Sequence, residues 1–277
     1  KRKVFFSSDQ KSNLYIGLMV VTYTCTIFSL LCLLATILIY CILPVLRTVP
    51  GKNTMCYAFS LFLAQLFFII QAYIANEKAC AWIGGFTHYF WITVFTCTNI
   101  CCFHMFRLFV RNALTHGDVF EDRYLFIKFC LVSYLLPLLP VALNLLLAKA
   151  EIESIKFGYG GSKCFLLGHK ALILMFILPI FLQITFNIIM FSITFHYIRN
   201  TPKVKSTQDR HDFTIFIKLF LLTGVSWLFM IVDGFFNVSP FTFLATIISG
   251  SLGVFIFISY VCHKKVFKLL KRKVCCK

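Results

Sequence analysis

The sequence predicts an all-α membrane protein, a bundle of seven transmembrane helices. Two observations carry that prediction. Seven long apolar stretches, parted by short polar gaps, fill almost all of the 277 residues. The composition is 60% hydrophobic and 13% charged, with 34 Phe, which excludes an ordinary soluble domain. A spanning helix needs about 20 mostly apolar residues. In lipid its backbone polar groups have few other ways to be satisfied. The apolar runs are continuous, without the alternation of a membrane β-barrel.

The elements follow in order. Residues 1–12 are a polar leader, and the chain does not begin with Met. A further extracellular region or signal sequence is therefore expected ahead of it. The seven-span domain covers 13–262. Its spans are 14–43, 55–75, 79–110, 125–148, 171–198, 213–232 and 241–262. The third span opens near Cys80, carries Phe86, His88, Tyr89 and Trp91 in its first half, and Asn99 and His104 in its second. The fourth holds Pro137 and Pro140, and the fifth Pro179 and Asn187. These prolines remove helix hydrogen bonds and favour kinks. The sixth holds Gly224 and, one turn on, Trp227; Asp233 follows its end.

Charge sets the orientation. Of the 27 Lys and Arg, eighteen flank one face of the membrane and nine the other. The richer face includes the C-terminal tail, so the C-terminus is expected in the cytoplasm and the N-terminus outside. Nucleic acid is not an expected partner of the +17 charge. These cations flank spans and would first meet anionic lipid. Of 13 Cys, only Cys80 and Cys164 fall on the outer side, where an oxidising milieu predicts that they pair. The other Cys inside spans read as small packing residues. Residues 263–277 place Val266, Phe267, Leu269, Leu270 and Val274 roughly on one helical face and cations on the other. That pattern suits a short amphipathic helix on the inner leaflet. Cys275 and Cys276 at its end are candidates for palmitoylation.

Ionisable groups in spans are costly and usually face the bundle. Asp233 reads as a contact for a cationic ligand or as a solvated helix end. His104 reads as a switch contact or as packing. Asn99 and Asn187 can link helices by hydrogen bonds worth roughly 0.6–2 kcal/mol each. Gly224 beside Trp227 reads as a pivot of the sixth helix or as a close-packing site. Phe86, Tyr89, Trp91 and Asp233 are expected to rim a ligand vestibule. A transporter would need a polar pathway and usually an internal repeat, neither of which is visible. A retinal protein would need a Lys in the seventh span, and 241–262 has none. No nucleophile–base pair, metal-ligand cluster or phosphate loop points to an enzyme, and no cofactor is expected.

A seven-span, N-out chain with an outer disulfide from the third span resembles a G-protein-coupled receptor. Asp122-Arg123-Tyr124 is similar to the tripeptide that ends the third helix of the rhodopsin-like branch. Here 43 residues separate Cys80 from Arg123, too many for one crossing at about 1.5 Å per residue. The secretin-like and adhesion-like branch fits better, over nearly all the chain. Its patterns are resembled by Ser60-Leu-Phe-Leu-Ala-Gln-Leu66, by Asn99-Ile-Cys-Cys-Phe-His104, and by Pro179 followed by Asn187. Gly224-Val-Ser-Trp227, Ser251-Leu-Gly-Val-Phe-Ile-Phe257 and Cys262-His-Lys-Lys-Val266 continue the series. Within the branch the chain most resembles the Methuselah-like receptors of invertebrates. It departs from the pattern at Thr54, His104, Tyr134-Leu-Leu-Pro137 and Gly253, which puts the family's inner polar lock in doubt more than the fold.

The resemblance implies a plasma-membrane receptor. It would carry an extracellular stimulus (a peptide, a protein or a tethered segment) to a heterotrimeric G protein by opening of the sixth helix. His104, Asn99, Pro179, Asn187, Gly224 and Trp227 would form the activation switch. Arg47, Lys52, Arg107, Arg111, Arg123, Arg199 and Lys218 would line the G-protein cavity, or serve only as orientation and headgroup residues. Membrane lipids are the remaining expected partner. A non-signalling seven-span protein or transporter is the alternative.

Overall fold

The computed structural model describes residues 8–108, 119–150, 156–161, 163–200, 240–262 and 264–275. Its first helix, α1 (Ser8–Ile42), ends two residues before Pro44, which disfavours helix in the residue ahead of it; a short 3-10 segment (Pro44–Leu46) begins there. Helix α2 (Val49–Ile70) starts well before the apolar run at Met55, because Thr48 caps it. The Thr48 hydroxyl accepts from the Gly51 amide at 3.4 Å, and Pro50 occupies the first turn, where its missing N–H is not needed. A 3-10 turn extends it to Tyr73. Helix α3 (Glu77–Phe106) opens on Asn76, whose Oδ1 accepts from the amides of Lys78 at 2.9 Å and Ala79 at 3.2 Å.

The fourth span is two helices, α4 (Val119–Leu135) and α5 (Leu138–Lys149), parted at Pro137. Pro140 sits in the first turn of α5, where a proline is tolerated. A two-stranded antiparallel hairpin follows, β1 (Tyr159–Gly160) paired with β2 (Phe165–Leu166). The fifth span begins as α6 (His169–Leu172), widens into a π-helical stretch at Ile173–Ile177, and continues as α7 (Leu178–Asn200). The seventh-span region is α8 (Pro240–Gly250) and α9 (Leu252–Tyr260), and the tail is α10 (Lys264–Cys275). The predicted sixth span, 213–232, lies outside the described residues.

Among the described residues, five helices are long and apolar enough to cross a bilayer: Leu14–Ile42, Val49–Tyr73, Glu77–Phe106, Arg123–Lys149 and His169–Tyr197. Thr242–Gly250 and Leu252–Tyr260 make a sixth if the pair, bent by 46°, is one span. Helix α3 is central, packed against α2, α4, α5, α7 and the hairpin, while α1 packs on α2, α8 and α9. The main apolar cluster joins Leu33, Tyr57, Leu61, Val94, Leu252 and Ile256 from four of these elements. Many apolar side chains face outward, as at Phe28, Leu31, Leu139 and Leu182, the inverse of a soluble core and suited to lipid. Most hydroxyls inside helices serve themselves: Thr26, Thr36, Thr93 and Thr98 each donate to the carbonyl one turn back.

Candidate functional site

At the end of the bundle where α3 begins, the hairpin is fixed to the helices at several points. Cys80 and Cys164 are joined by a disulfide, with Cα atoms 4.8 Å apart. One turn beyond Cys80, a Cβ on Gly84 would lie 2.6 Å from the Cys164 carbonyl oxygen. Only glycine lets the loop backbone come this close. The Gly158 amide donates to Asn144 Oδ1 of α5 at 3.2 Å. Gly158 has φ +107°, a conformation that a Cβ disfavours.

Tyr159 then reaches into α3. Its hydroxyl lies 2.7 Å from His88 Nδ1, and His88 Nε2 lies 2.9 Å from the Met175 carbonyl oxygen. A carbonyl only accepts, so Nε2 carries the proton; Nδ1 then accepts from the Tyr159 O–H. Met175 is free to accept because residue 179 is proline. The amide that would close the helical bond to Met175, four residues on, does not exist. The π-helical stretch reflects the same shift in register: the Leu178 amide reaches back to Ile173. Phe165 and Phe176 set their rings nearly perpendicular to each other at 5.2 Å and pack edgewise on His88. Burial pushes the Tyr159 phenol up to about 12, so it stays a neutral donor. Tyr89, the next residue along α3, does similar work one span over. Its hydroxyl donates to the Tyr134 carbonyl at 2.9 Å, beside the break at Pro137.

The expected vestibule residues therefore divide. Tyr89 points to the break in the fourth span. Trp91 packs between two core clusters, beside Phe95 and Ile180 on one side and against the main cluster on the other. Phe86 is 43% exposed and stacks on Phe67 at 5.3 Å and near Trp82 at 6.4 Å, on the outer surface of the bundle. Asp233 lies outside the described residues. The cluster that forms is His88 with Tyr159, Phe165 and Phe176. A sequence signal for it existed: a proline frees the carbonyl four residues before it, and a histidine is a candidate to take it.

Among the described residues, the expected switch residues do not gather into one bonded group. His104 is buried and meets the edge of Phe129 at 5.6 Å. Asn187 is buried on α7, where its backbone carbonyl accepts from Cys102 Sγ at 3.6 Å. Among the described residues none of His104, Asn99 and Asn187 is hydrogen-bonded to another, and Asn99 Oδ1 and Asn187 Oδ1 are buried without a partner. Pro179 acts through Met175, as above. Gly224 and Trp227 lie outside the described residues. Gln65 of α2 belongs to the Ser60–Leu66 motif. It is 2% exposed, and both Nε2 and Oε1 lack a partner. Each such group costs about 1–3 kcal/mol.

At the opposite end several expected cavity cations have structural partners. Arg47 folds back on α1: Nε donates to the Tyr40 carbonyl at 2.9 Å and Nη2 to that of Cys41. Lys273 of α10 donates to the next carbonyl, Ile42. Two cations thus serve the orphan C-terminal carbonyls of α1. Lys52 lies over the Phe126 ring at 5.1 Å, Arg107 is half-buried and Arg123 exposed. The Arg199 side chain, Arg111 and Lys218 lie outside the described residues. Val266, Leu269 and Leu270 of α10 pack on Leu43, Leu46 and Val261, while Phe267 is 58% exposed. Cys275 ends α10, its side chain undescribed, and Cys276 lies outside. Among the described residues no group of three His, Cys, Asp or Glu side chains could hold a metal.

The family model described as 7 transmembrane receptor (Secretin family) matches residues 15–256. G-protein coupled receptor Mth of Drosophila yakuba is 25% identical over 267 residues, which cover 90% of this chain and 52% of the relative. Probable G-protein coupled receptor Mth-like 4 of Drosophila melanogaster is 26% identical over 263 residues, 88% of this chain and 50% of the relative. Adhesion G protein-coupled receptor L1 of Mus musculus is 29% identical over 275 residues, 94% of this chain but 18% of the relative. The chain thus spans about half the length of the Methuselah-type relatives.

Proposed function

Because this chain belongs to the secretin family of seven-transmembrane receptors, we propose that it is the membrane portion of a plasma-membrane receptor that signals through a heterotrimeric G protein. The disulfide end faces outward in this reading, and the end bearing α10 faces the cytoplasm, as the two-to-one division of Lys and Arg supports. The observation that carries the reading is the bond chain Tyr159–His88–Met175. A stimulus that moves the outer hairpin would pull on α3 and on the irregular stretch of the fifth span together. It would bias a pre-existing equilibrium between two helix packings. In the active packing the sixth helix pivots near Gly224 and Trp227 and opens a cytoplasmic cavity. Arg107, Arg111, Arg123, Lys52, Arg199 and Lys218 then face the G protein and speed its docking. Arg47 holds α1 instead, and α10 lies along the inner leaflet, with Cys275 and Cys276 available for acylation.

The test is agonist-free G-protein dissociation in cells, across a panel of Gα subunits, with Trp227→Ala and expression-matched empty membranes as controls. Dissociation with one Gα class, lost in Trp227→Ala, is the expected result. Gly224→Leu is expected to suppress it at unchanged surface level. Signalling untouched by both substitutions would sink the sixth-helix pivot. Silence of the whole panel would favour a non-signalling seven-span protein.

A further inference from the structure

The seam between the second and fourth spans is built as a ladder. Lys52 Nζ of α2 lies 5.1 Å over the Phe126 ring of α4. One turn on, Cys56 Sγ and Cys130 Sγ lie 3.8 Å apart. After one further turn, the Ser60 and Tyr134 hydroxyl oxygens lie 3.3 Å apart. The partners in each rung are 74 residues apart in sequence. The two helices therefore run in the same direction and in step, since residues four apart share a helix face. The outer rungs fix the register of the middle one, so the two thiols oppose each other across the seam. Both are free and half-buried. The third thiol nearby, Cys97 of α3, is turned to Ser60 Oγ at 3.8 Å. Cys56, Cys97 and Cys130 border one narrow crevice together with Asn53, whose Nδ2 is buried without a partner. Cys56 stands seven residues into α2, about 10 Å from the end where α10 lies.

We propose that Cys56 and Cys130 are a redox-active dithiol, which a hydroperoxide closes into a disulfide that staples the second span to the fourth. One sulfur, losing its proton, attacks a peroxide oxygen. The O–O bond breaks, leaving a sulfenic acid and, when the oxidant is hydrogen peroxide, one water. The other sulfur then attacks the sulfenic sulfur: the S–S bond forms, the S–O bond breaks, and a second water leaves. The two sulfurs together give up two electrons, and the peroxide takes both. Asn53 Nδ2–H is the donor available to the peroxide oxygen in the crevice. The Lys52 ammonium, one turn away, offsets the negative charge of the attacking sulfur. Closure brings the sulfurs from 3.8 Å to about 2 Å across helices already in step. The end bearing α10 is the cytoplasmic one in the reading above, and on that reading glutathione keeps the resting pair reduced.

The whole chain would be held in phosphatidylcholine nanodiscs and treated with hydrogen peroxide. It would then be unfolded in N-ethylmaleimide to block the remaining thiols, digested and read by mass spectrometry. A peptide linking Cys56 to Cys130 is expected, and dithiothreitol is expected to separate it. Oxidation is expected to raise the melting temperature of the parent by on the order of 5 °C, and to leave Cys56→Ser and Cys130→Ser where they were. The peptide map of the parent decides the matter even where a variant does not fold. No linked peptide, a link from either residue to Cys97 instead, or sulfinic acid at both without a link overturns the proposal. So does a linked peptide with an unchanged melting temperature, or an equal rise in parent and variants. None of these outcomes reads G-protein dissociation or the side that α10 faces, so failure of the coupling reading leaves them distinguishable.

Discussion

Adding one methyl group at Gly253 should force the seventh span away from the first. Helices α8 and α9 meet at 46°, and at the bend the Gly253 amide donates to Ser29 Oγ of α1 at 2.8 Å rather than within its own helix. A Cβ there would lie 2.5 Å from Leu33 Cγ and 2.6 Å from the Ser29 carbonyl oxygen, and closer still to Ser29 Oγ. Ordinary contact begins near 3.4 Å, so α1 and α9 must part by roughly 1 Å. Overpacking of this kind costs about 1–3 kcal/mol. Stretching the bond to Ser29 leaves a buried N–H short of its acceptor, worth about 1–3 kcal/mol more. Together about 2–6 kcal/mol corresponds to a fall of roughly 5–20 °C in melting temperature for a chain of this size. Intrinsic tryptophan fluorescence of purified Gly253→Ala in nanodiscs reads this directly. Ser29→Ala, which removes the acceptor without crowding, should give only the smaller part of the loss. Ser29→Gly in the Gly253→Ala background should restore some stability but not all, because the Ser29 carbonyl still clashes. A Gly253→Ala protein that melts within about 1 °C of the parent would refute the close approach and the argument built on it.

Tyr159→Phe keeps the ring and removes the hydroxyl that serves His88. It should lower the melting temperature by a few degrees, read in the same assay. The Tyr159 phenol is raised from 10.0 to about 12, so the stability tied to its neutral form is full below pH 10 and is lost as pH climbs through about 12. The parent should lose stability across that window, and Tyr159→Phe should lose less. Replacing Cys80 and Cys164 by Ser opens a link between residues 84 apart. Loop entropy alone sets an upper bound of about 4.6 kcal/mol, reduced in a bilayer because the spans stay helical. Hydrogen exchange should quicken at 158–167 and not in α2. Arg47→Ala removes two donors from the end of α1, and Lys273→Ala removes the third. Each should cost about 1 kcal/mol, and the pair should speed amide exchange in α10; unchanged exchange there would argue against the anchor.

The sequence by itself determined the class of architecture, because the bilayer makes length and apolarity nearly sufficient to identify a span. It also determined the family, through motifs whose order survives low identity, and singled out Cys80 and Cys164 by the side on which they fall. What it could not reach were contacts that depend on which helix face meets which neighbour. In a chain this apolar a hydrophobic stripe says little about the inward side, so the sequence does not separate Phe86 from His88, two residues apart. One stacks on the bundle's surface and the other binds a carbonyl of the fifth span. The start of α2 at Val49 was written locally, in Thr48 and Pro50, yet lay outside the apolar run. Arg47 counted only as a cytoplasmic cation until the fold brought it back onto α1. In the sequence Gln65 is one letter of a motif. Only tertiary packing decides whether a buried amide finds a partner, because that depends on atoms brought from other helices to within about 3 Å.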